Sequence, residues 1–260
     1  MWQARTHGEW AGGRAVNRGV LVTGASRGIG RAIAKAFADN GDRVAVHYSS
    51  RREDAQDTLH DLSGDGHVLI GGDIGDPAGA AAVVDSAVVA MGAVHVLVNN
   101  AAVNLPQPLA TIDYDGWQDA WRRTVDVNLL GTANVSYCAA RHMIDRGISG
   151  RIVNVGSRGA FRGEPDHPAY GATKAAVQAL GQSLAVALAP FGIAVASVAP
   201  GFVATERVAD RVTDAVRAQS PFGRVAEPAE IAAAVRYLAS PEAVWSSGAV
   251  LDVNGASYLH

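Results

Sequence analysis

Short runs of apolar, mostly β-branched residues recur along the chain, and longer stretches with helical spacing separate them. Ile33 and Phe37 before Gly41 illustrate that helical spacing. The short runs are nearly continuous in apolar residues, which is typical of strands that helices cover on both faces of a sheet. The pattern predicts an α/β fold with a doubly wound, seven-stranded parallel sheet and helices on both faces. The predicted strands are residues 20–22, 44–48, 68–70, 94–98, 152–155, 194–198 and 249–253.

The length of 260 residues is within the range of one α/β domain, so we expect a single domain over residues 19–260. Residues 1–18 mix Gly, Arg and His with Trp2 and Trp10, and they are interpreted as a flexible N-terminal extension. This start lacks the apolar core of a secretion signal. No apolar run approaches the roughly 20 residues that span a bilayer, so no membrane association is expected.

Composition and charge limit the kinds of molecule that this protein is expected to bind. Apolar residues make up 48% of the chain and charged residues 18%, which is typical of a globular protein rather than a disordered one. The formal net charge of −3 means that the chain has no excess of the basic residues that bind nucleic acid. Cys138 is the only cysteine, which excludes an intramolecular disulfide and a thiol-rich metal cluster. We therefore expect a cytoplasmic protein that binds no nucleic acid and holds no metal.

A glycine-rich segment follows the first predicted strand and precedes a helix predicted to begin near Arg31. It reads Thr-Gly-Ala-Ser-Arg-Gly-Ile-Gly over residues 23–30. Glycines let a backbone approach a pyrophosphate closely, and a helix N-terminus offers free N–H groups and partial positive charge. A purely structural tight turn is the alternative, which the strand–turn–helix context disfavours. The segment thus predicts a dinucleotide-binding loop with contacts from Gly24, Ser26, Arg27, Gly28, Ile29 and Gly30.

Further motifs follow this loop in a fixed order. They are Asn99-Asn100-Ala101-Ala102, Asn128, Ser157, Tyr170-Gly-Ala-Thr-Lys174 and Pro200-Gly201. Together with the Thr-Gly-x-x-x-Gly-x-Gly loop they resemble the short-chain dehydrogenases/reductases, over roughly residues 19–256. The resemblance is to the type of about 250 residues that includes 3-oxoacyl-acyl-carrier-protein reductases.

This resemblance implies a Rossmann fold and hydride transfer between NAD(P)(H) and a carbonyl or secondary alcohol. The small-molecule substrate would be a 3-oxoacyl thioester, a ketone or a sugar. The family also implies a substrate lid at about residues 204–222 and a homotetramer built through residues 117–146 and 168–189.

Tyr170 and Lys174 are four residues apart on a predicted helix, so their side chains share one face. A free tyrosine, with a pKa of about 10, is a poor acid–base group at neutral pH unless a cation stabilises its phenolate. Ser157 follows the fifth predicted strand, at the edge where ligands bind in open α/β sheets. We predict that these three residues are catalytic. By resemblance Asn128 joins them in a proton relay, although an asparagine in a helix can equally bond a neighbouring carbonyl.

The cofactor preference is predicted from the segment after the second strand. An NAD-selective site usually carries a carboxylate there, whereas this chain has Tyr48, Ser49, Ser50 and Arg51. Hydroxyls and guanidiniums suit a 2′-phosphate, so NADP(H) is preferred and NAD(H) stays the alternative. The resemblance adds further cofactor contacts, at Asp73, Ile74, Asn100, Ala101, Tyr170, Lys174, Pro200, Gly201, Val203 and Thr205.

Two other functions are possible on a related fold. A cofactor-binding regulatory protein that has lost turnover would share the fold, but the intact set of Ser157, Tyr170 and Lys174 argues against it. A dehydratase or epimerase on a longer scaffold would need a C-terminal substrate domain, and only about 60 residues follow Pro200. The leading hypothesis is an oxidoreductase.

Overall fold

A computed structural model describes residues 17–206 and 212–259 of the chain. All seven strands are parallel and form one sheet in the order β3-β2-β1-β4-β5-β6-β7, which confirms the predicted doubly wound sheet. Most of the predicted N-terminal extension and residues 207–211 of the predicted lid lie outside the described residues. The strands are β1 (Gly19–Val22), β2 (Arg43–Tyr48), β3 (Val68–Gly71), β4 (Val96–Asn99), β5 (Arg151–Val155), β6 (Ala194–Pro200) and β7 (Val250–Val253).

Helices cover both faces of this sheet. The helix predicted to begin near Arg31 begins three residues earlier, at Gly28. The segment 126–131 between α4 and α5 is a π-helix. The α-helices are α1 (Gly28–Asp39), α2 (Arg52–His60), α3 (Pro77–Met91), α4 (Tyr114–Val125), α5 (Thr132–Arg146), α6 (Pro168–Leu188), α7 (Asp214–Arg217) and α8 (Pro228–Leu238).

Two apolar layers, one on each face of the sheet, form the core. Alternate residues of one strand enter different layers: Val20 and Val22 pack on one side with α1 and α8, and Leu21 packs on the other with α3 and α5. All three side chains are fully buried. Burial on both faces explains why the sequence of the strands shows no alternation of apolar and polar residues.

The chain reverses its direction of winding between β1 and β4, which are neighbours in the sheet. In open α/β sheets, ligands bind in the crevice at the carboxyl ends of the strands at such a switch point. The glycine-rich loop follows β1 and Asn100 follows β4, so both flank this crevice. The fold therefore brings the predicted site residues to one edge.

Candidate active site

The glycine-rich loop is shaped so that only glycine fits at several positions. Gly24 and Gly28 have φ angles of 64° and 55°, in the left-handed region that favours glycine. A Cβ on Gly30 would lie 2.2 Å from the carbonyl oxygen of Gly24. Arg27 at the N-cap of α1 provides no side-chain cap for the first turn. This open cradle at a helix N-terminus fits a pyrophosphate group.

Two polar side chains, one at the end of β4 and one in β2, hold the loop from either side of β1. The Asn100 side-chain amide donates to the carbonyl oxygens of Thr23 (3.0 Å) and Gly24 (2.9 Å). On the other side, the N–H of Gly24 donates to Nδ1 of His47 at 3.1 Å. The remaining ring nitrogen of His47, Nε2, lies 3.0 Å from the Gly72 carbonyl oxygen and donates to it. His47 thus joins the loop to the end of β3.

His47 lines the cavity although the sequence did not lead us to predict it as a site residue. Burial lowers the pKa of its imidazole to about 4, although the hydrogen bond to Gly72 and the charge of Asp73 act in the opposite direction. The ring is therefore neutral at neutral pH, and Nδ1 can accept the Gly24 N–H. A signal was present, because a histidine within an otherwise apolar strand needs hydrogen-bond partners when it is buried.

A cavity of about 410 Å³ lies along the carboxyl edge of the sheet. It brings together every residue predicted for the site except Asn128 and Val203. These are Gly24, Ser26, Arg27, Gly28, Ile29, Gly30, Tyr48, Ser49, Ser50, Arg51, Asp73, Ile74, Asn100, Ala101, Ser157, Tyr170, Lys174, Pro200, Gly201 and Thr205. The lining also includes residues that the sequence analysis did not name for the site, which are His47, Ala102, Val103, Arg123, Val127, Val155, Gly156 and Glu206.

Ser157, Tyr170 and Lys174 all line this cavity. Lys174 is buried, its Nζ donates to the Val155 carbonyl oxygen at 2.7 Å, and Nζ lies 5.6 Å from the centre of the Tyr170 ring. The N–H of Gly159 donates to Ser157 Oγ at 3.0 Å. Because that bond uses a lone pair of Oγ, the hydroxyl hydrogen can be donated into the cavity. A phenol, a hydroxyl donor and an ammonium group therefore converge.

The cavity wall also carries an ion pair between Asp73 and Arg123, whose side chains lie 3.0 Å apart. Partial burial on its own raises the pKa of Asp73, but the Gly75 N–H and the Arg123 guanidinium together lower it below the usual value. Asp73 is thus an ionised acceptor at the cavity wall. Arg123 is 50 residues away in the sequence, and no local pattern indicated the pairing.

Residues 24–256 match a family model described as enoyl-(acyl carrier protein) reductase. Curated relatives cover nearly the whole chain. The 3-oxoacyl-[acyl-carrier-protein] reductase FabG of Staphylococcus aureus (strain Mu50) is 35% identical over 249 residues, which are 94% of this chain and 99% of the relative. The chain belongs to the short-chain dehydrogenase/reductase family.

Two further relatives act on different compounds. The cis-4-hydroxycyclohexanecarboxylate dehydrogenase of Sinomonas cyclohexanicum is 38% identical, over 92% of this chain and 95% of the relative. The L-rhamnose 1-dehydrogenase (NAD(P)(+)) of a Sphingomonas species is 36% identical, over 93% of this chain and 96% of the relative. As a short-chain dehydrogenase/reductase, the protein is a hydride-transfer oxidoreductase that acts on C=O and CH–OH groups with a nicotinamide cofactor.

Two residues predicted for the site do not line the cavity. The side chain of Asn128, in the π-helix, accepts from the Val103 N–H (2.8 Å) and donates to the Val103 carbonyl (2.9 Å) and to Thr173 Oγ1 (3.2 Å). Val203 is buried in the apolar layer beside α8, because its backbone bridges to Ala226. Asn128 orders the cavity wall from behind, and Val203 belongs to the core.

The ring of Phe202, which follows Gly201, packs against the guanidinium of Arg158, 5.1 Å away, and lines a separate cavity.

None of the helices in residues 17–206 and 212–259 is long and apolar enough to cross a membrane. Over the same ranges, no group of three or more His, Cys, Asp or Glu side chains is arranged to hold a metal ion.

Proposed function

We propose that the protein is an NADP(H)-dependent carbonyl reductase or alcohol dehydrogenase with Tyr170 as its general acid and base. The observation that supports this proposal is that Ser157, Tyr170 and Lys174 line the same cavity as the glycine-rich loop. A bound nicotinamide supplies or accepts the hydride. The protein has to orient the substrate and move one proton.

Each of the three residues has a distinct task. The hydroxyl of Ser157 donates a hydrogen bond to the substrate oxygen, since the Gly159 N–H already occupies an Oγ lone pair. Tyr170 delivers its phenolic proton to that oxygen during reduction and takes it back during oxidation. The ammonium group of Lys174, anchored on the Val155 carbonyl, stabilises the phenolate that forms. Asn128 acts indirectly, by holding Val103 at the cavity wall.

The preference for NADP(H) is supported by the residues at the end of β2 and just after it. Tyr48, Ser49, Ser50 and Arg51 line the cavity there, and Arg27 lines it from the glycine loop. None of these five side chains is a carboxylate that would accept from a ribose 2′-hydroxyl, and the two guanidiniums suit a 2′-phosphate. The alternative cofactor, NAD(H), would bind in the same cradle.

The test is a titration of the purified protein with NADPH and with NADH, followed by fluorescence. We expect tighter binding of NADPH, and we expect Arg51→Met to weaken NADPH by about tenfold, or ~1.4 kcal/mol, and NADH by much less. Arg141→Met, on an exposed surface pair, is the control. Equal affinities for both cofactors, unchanged in Arg51→Met, would contradict the preference.

Turnover is then measured with acetoacetyl-CoA, 4-hydroxycyclohexanecarboxylate and L-rhamnose, compounds chosen from the names of the relatives. Tyr170→Phe removes only the acidic hydroxyl and should lower kcat by about a thousandfold while leaving cofactor affinity unchanged. If Tyr170→Phe keeps wild-type turnover, the mechanism is wrong. Cofactor binding without turnover of any ketone or alcohol would favour the regulatory alternative.

The proposal extends to organisation and location. We propose one domain over residues 19–260, a cytoplasmic protein and a homotetramer formed through α4, α5 and α6. Exposed apolar side chains on these helices and on the π-helix between α4 and α5 are consistent with such contacts; they are Tyr114, Leu130, Tyr137 and Val186. Light scattering of the purified protein should give a mass near four times 26.9 kDa, and a monomer would refute the tetramer.

A further inference from the structure

Arg158 directly follows Ser157 and begins a short 3₁₀ turn, Arg158–Ala160. Its side chain is buried with 4% exposure, which is rare for arginine. It takes part in none of the ion pairs found among the described residues. Burial lowers the pKa of the guanidinium, and the charge of Arg162 lowers it further, against an opposing effect of Glu164. A buried charge held mainly by neutral groups is costly, so its contacts need an explanation.

The guanidinium contacts three segments that are far apart in the sequence. Nη1 donates to Ser257 Oγ at 2.6 Å, in the segment after β7. Nη2 donates to the side-chain oxygen of Gln219, just beyond α7. The ring of Phe202, after β6, lies against its face. One side chain thus ties the residue after Ser157 to the segments that follow β6, α7 and β7.

The C-terminal segment contacts the same turn a second time. The hydroxyl of Tyr258 donates to the Phe161 carbonyl oxygen at 3.0 Å, and the two rings stack with centres 6.4 Å apart. Ser220, next to Gln219, donates to the Gly255 carbonyl oxygen at 2.6 Å. These contacts hold the outer side of the turn. On its inner side, the turn presents the Gly159 N–H to Ser157 Oγ.

We propose that Arg158 is a positioning residue for Ser157: by anchoring the turn that follows, it keeps the Gly159 N–H on Ser157 Oγ and so directs the serine hydroxyl toward the substrate. The inference rests on the proposed function of Ser157. Misplacement of a reacting group by about 1 Å can lower the rate about 100-fold, so a residue that fixes this turn affects kcat. The glycine loop is held by other residues, Asn100 and His47, so cofactor affinity should not depend on Arg158.

Five variants separate this role from a general loss of stability. Arg158→Met removes both hydrogen bonds, and Arg158→Lys keeps the charge but can reach one acceptor only. Gln219→Leu and Ser257→Ala each remove one acceptor from a more exposed position, so they test the idea even if Arg158→Met does not fold. Arg162→Met is the matched control, because it removes the same charge from the same loop.

Kinetics are measured with the best substrate of the panel named above and saturating cofactor. We expect kcat to fall about 10- to 100-fold in Arg158→Met. Arg158→Lys and the two acceptor variants should lose less, and Arg162→Met should stay near wild type. The affinity for NADPH should stay within about twofold throughout. The double variant Arg158→Met/Gln219→Leu should have the same kcat as Arg158→Met alone, because both substitutions break the same contact.

Hydrogen exchange gives a readout without turnover. The amides of residues 158–161 should exchange faster in Arg158→Met, while those of the glycine loop are unchanged. Wild-type kcat in Arg158→Met, additive losses in the double variant, or unchanged exchange in residues 158–161 would each overturn the proposal. Different results would contradict the proposed function itself: Tyr170→Phe would be as active as wild type, or neither cofactor would bind.

Discussion

The neutral histidine behind the glycine loop makes the stability of the protein depend on pH. His47 is buried, and its pKa is lowered to about 4 from an ordinary value of 6.5. Between these two pH values the unfolded chain binds a proton at this residue and the folded chain does not. The contribution of His47 to the free energy of unfolding is therefore complete above pH 6.5, and it is lost as the pH falls toward 4.

The size of the effect follows from the two pKa values. Linkage gives a loss of about 2 kcal/mol in the free energy of unfolding between pH 7.5 and pH 5, rising to about 3 kcal/mol at pH 4. His95 and His142 also have pKa values lowered by burial, so the whole protein should lose more than this. A comparison with His47→Asn isolates one residue, because asparagine is polar and does not titrate.

The assay is urea unfolding of wild type and His47→Asn at pH 7.5 and at pH 5, at one protomer concentration. His47→Asn is expected to be less stable at pH 7.5, where the wild type has both hydrogen bonds, and to lose about 2 kcal/mol less on acidification. NMR of the wild-type ring should show no titration near pH 6.5. Equal losses of stability in the two proteins, or a titration of His47 near 6.5, would refute the reasoning.

Three further substitutions test the site and the core. Lys174→Met should lower kcat at neutral pH by about 100-fold, measured at saturating cofactor, because the phenolate loses its cation; an unchanged kcat contradicts that role. Gly30→Ala should weaken both cofactors by about 100-fold in the fluorescence titration, since its Cβ would lie 2.2 Å from a loop carbonyl oxygen, whereas Gly163→Ala meets no atom within 4 Å and should bind normally. Arg18→Met leaves a fully buried aspartate without its partner at 2.7 Å and should cost about 3–5 kcal/mol in urea unfolding, while the exposed pair of Arg141 should contribute under about 1 kcal/mol. If removing Arg18 and removing Arg141 lowered the free energy of unfolding equally, burial of the Arg18–Asp42 pair would not explain its contribution.

Local patterns in the sequence were sufficient for the sheet and for most of the candidate site. The seven strands follow from short apolar runs, and the glycine loop follows from residue types that only one backbone shape requires. Tyr170 and Lys174 share a helix face because their spacing is close to one turn. Features that depend on the strand period, the helix period or a tight turn are encoded within a few residues, so they could be predicted.

Contacts between distant segments were decided by the tertiary structure. Asn128 could bond several neighbours, and only the packing of its π-helix against Val103 selected its partners. His47 and Arg158 are also polar residues in the sequence without an evident role, until the ends of β3 and β7 approach them. The sequence alone determined which elements form and which residues reach the carboxyl edge of the sheet. The tertiary structure decided which side chains enter the cavity and which hold its wall, because that choice depends on how segments as far apart in the sequence as Arg158 and Ser257 pack together.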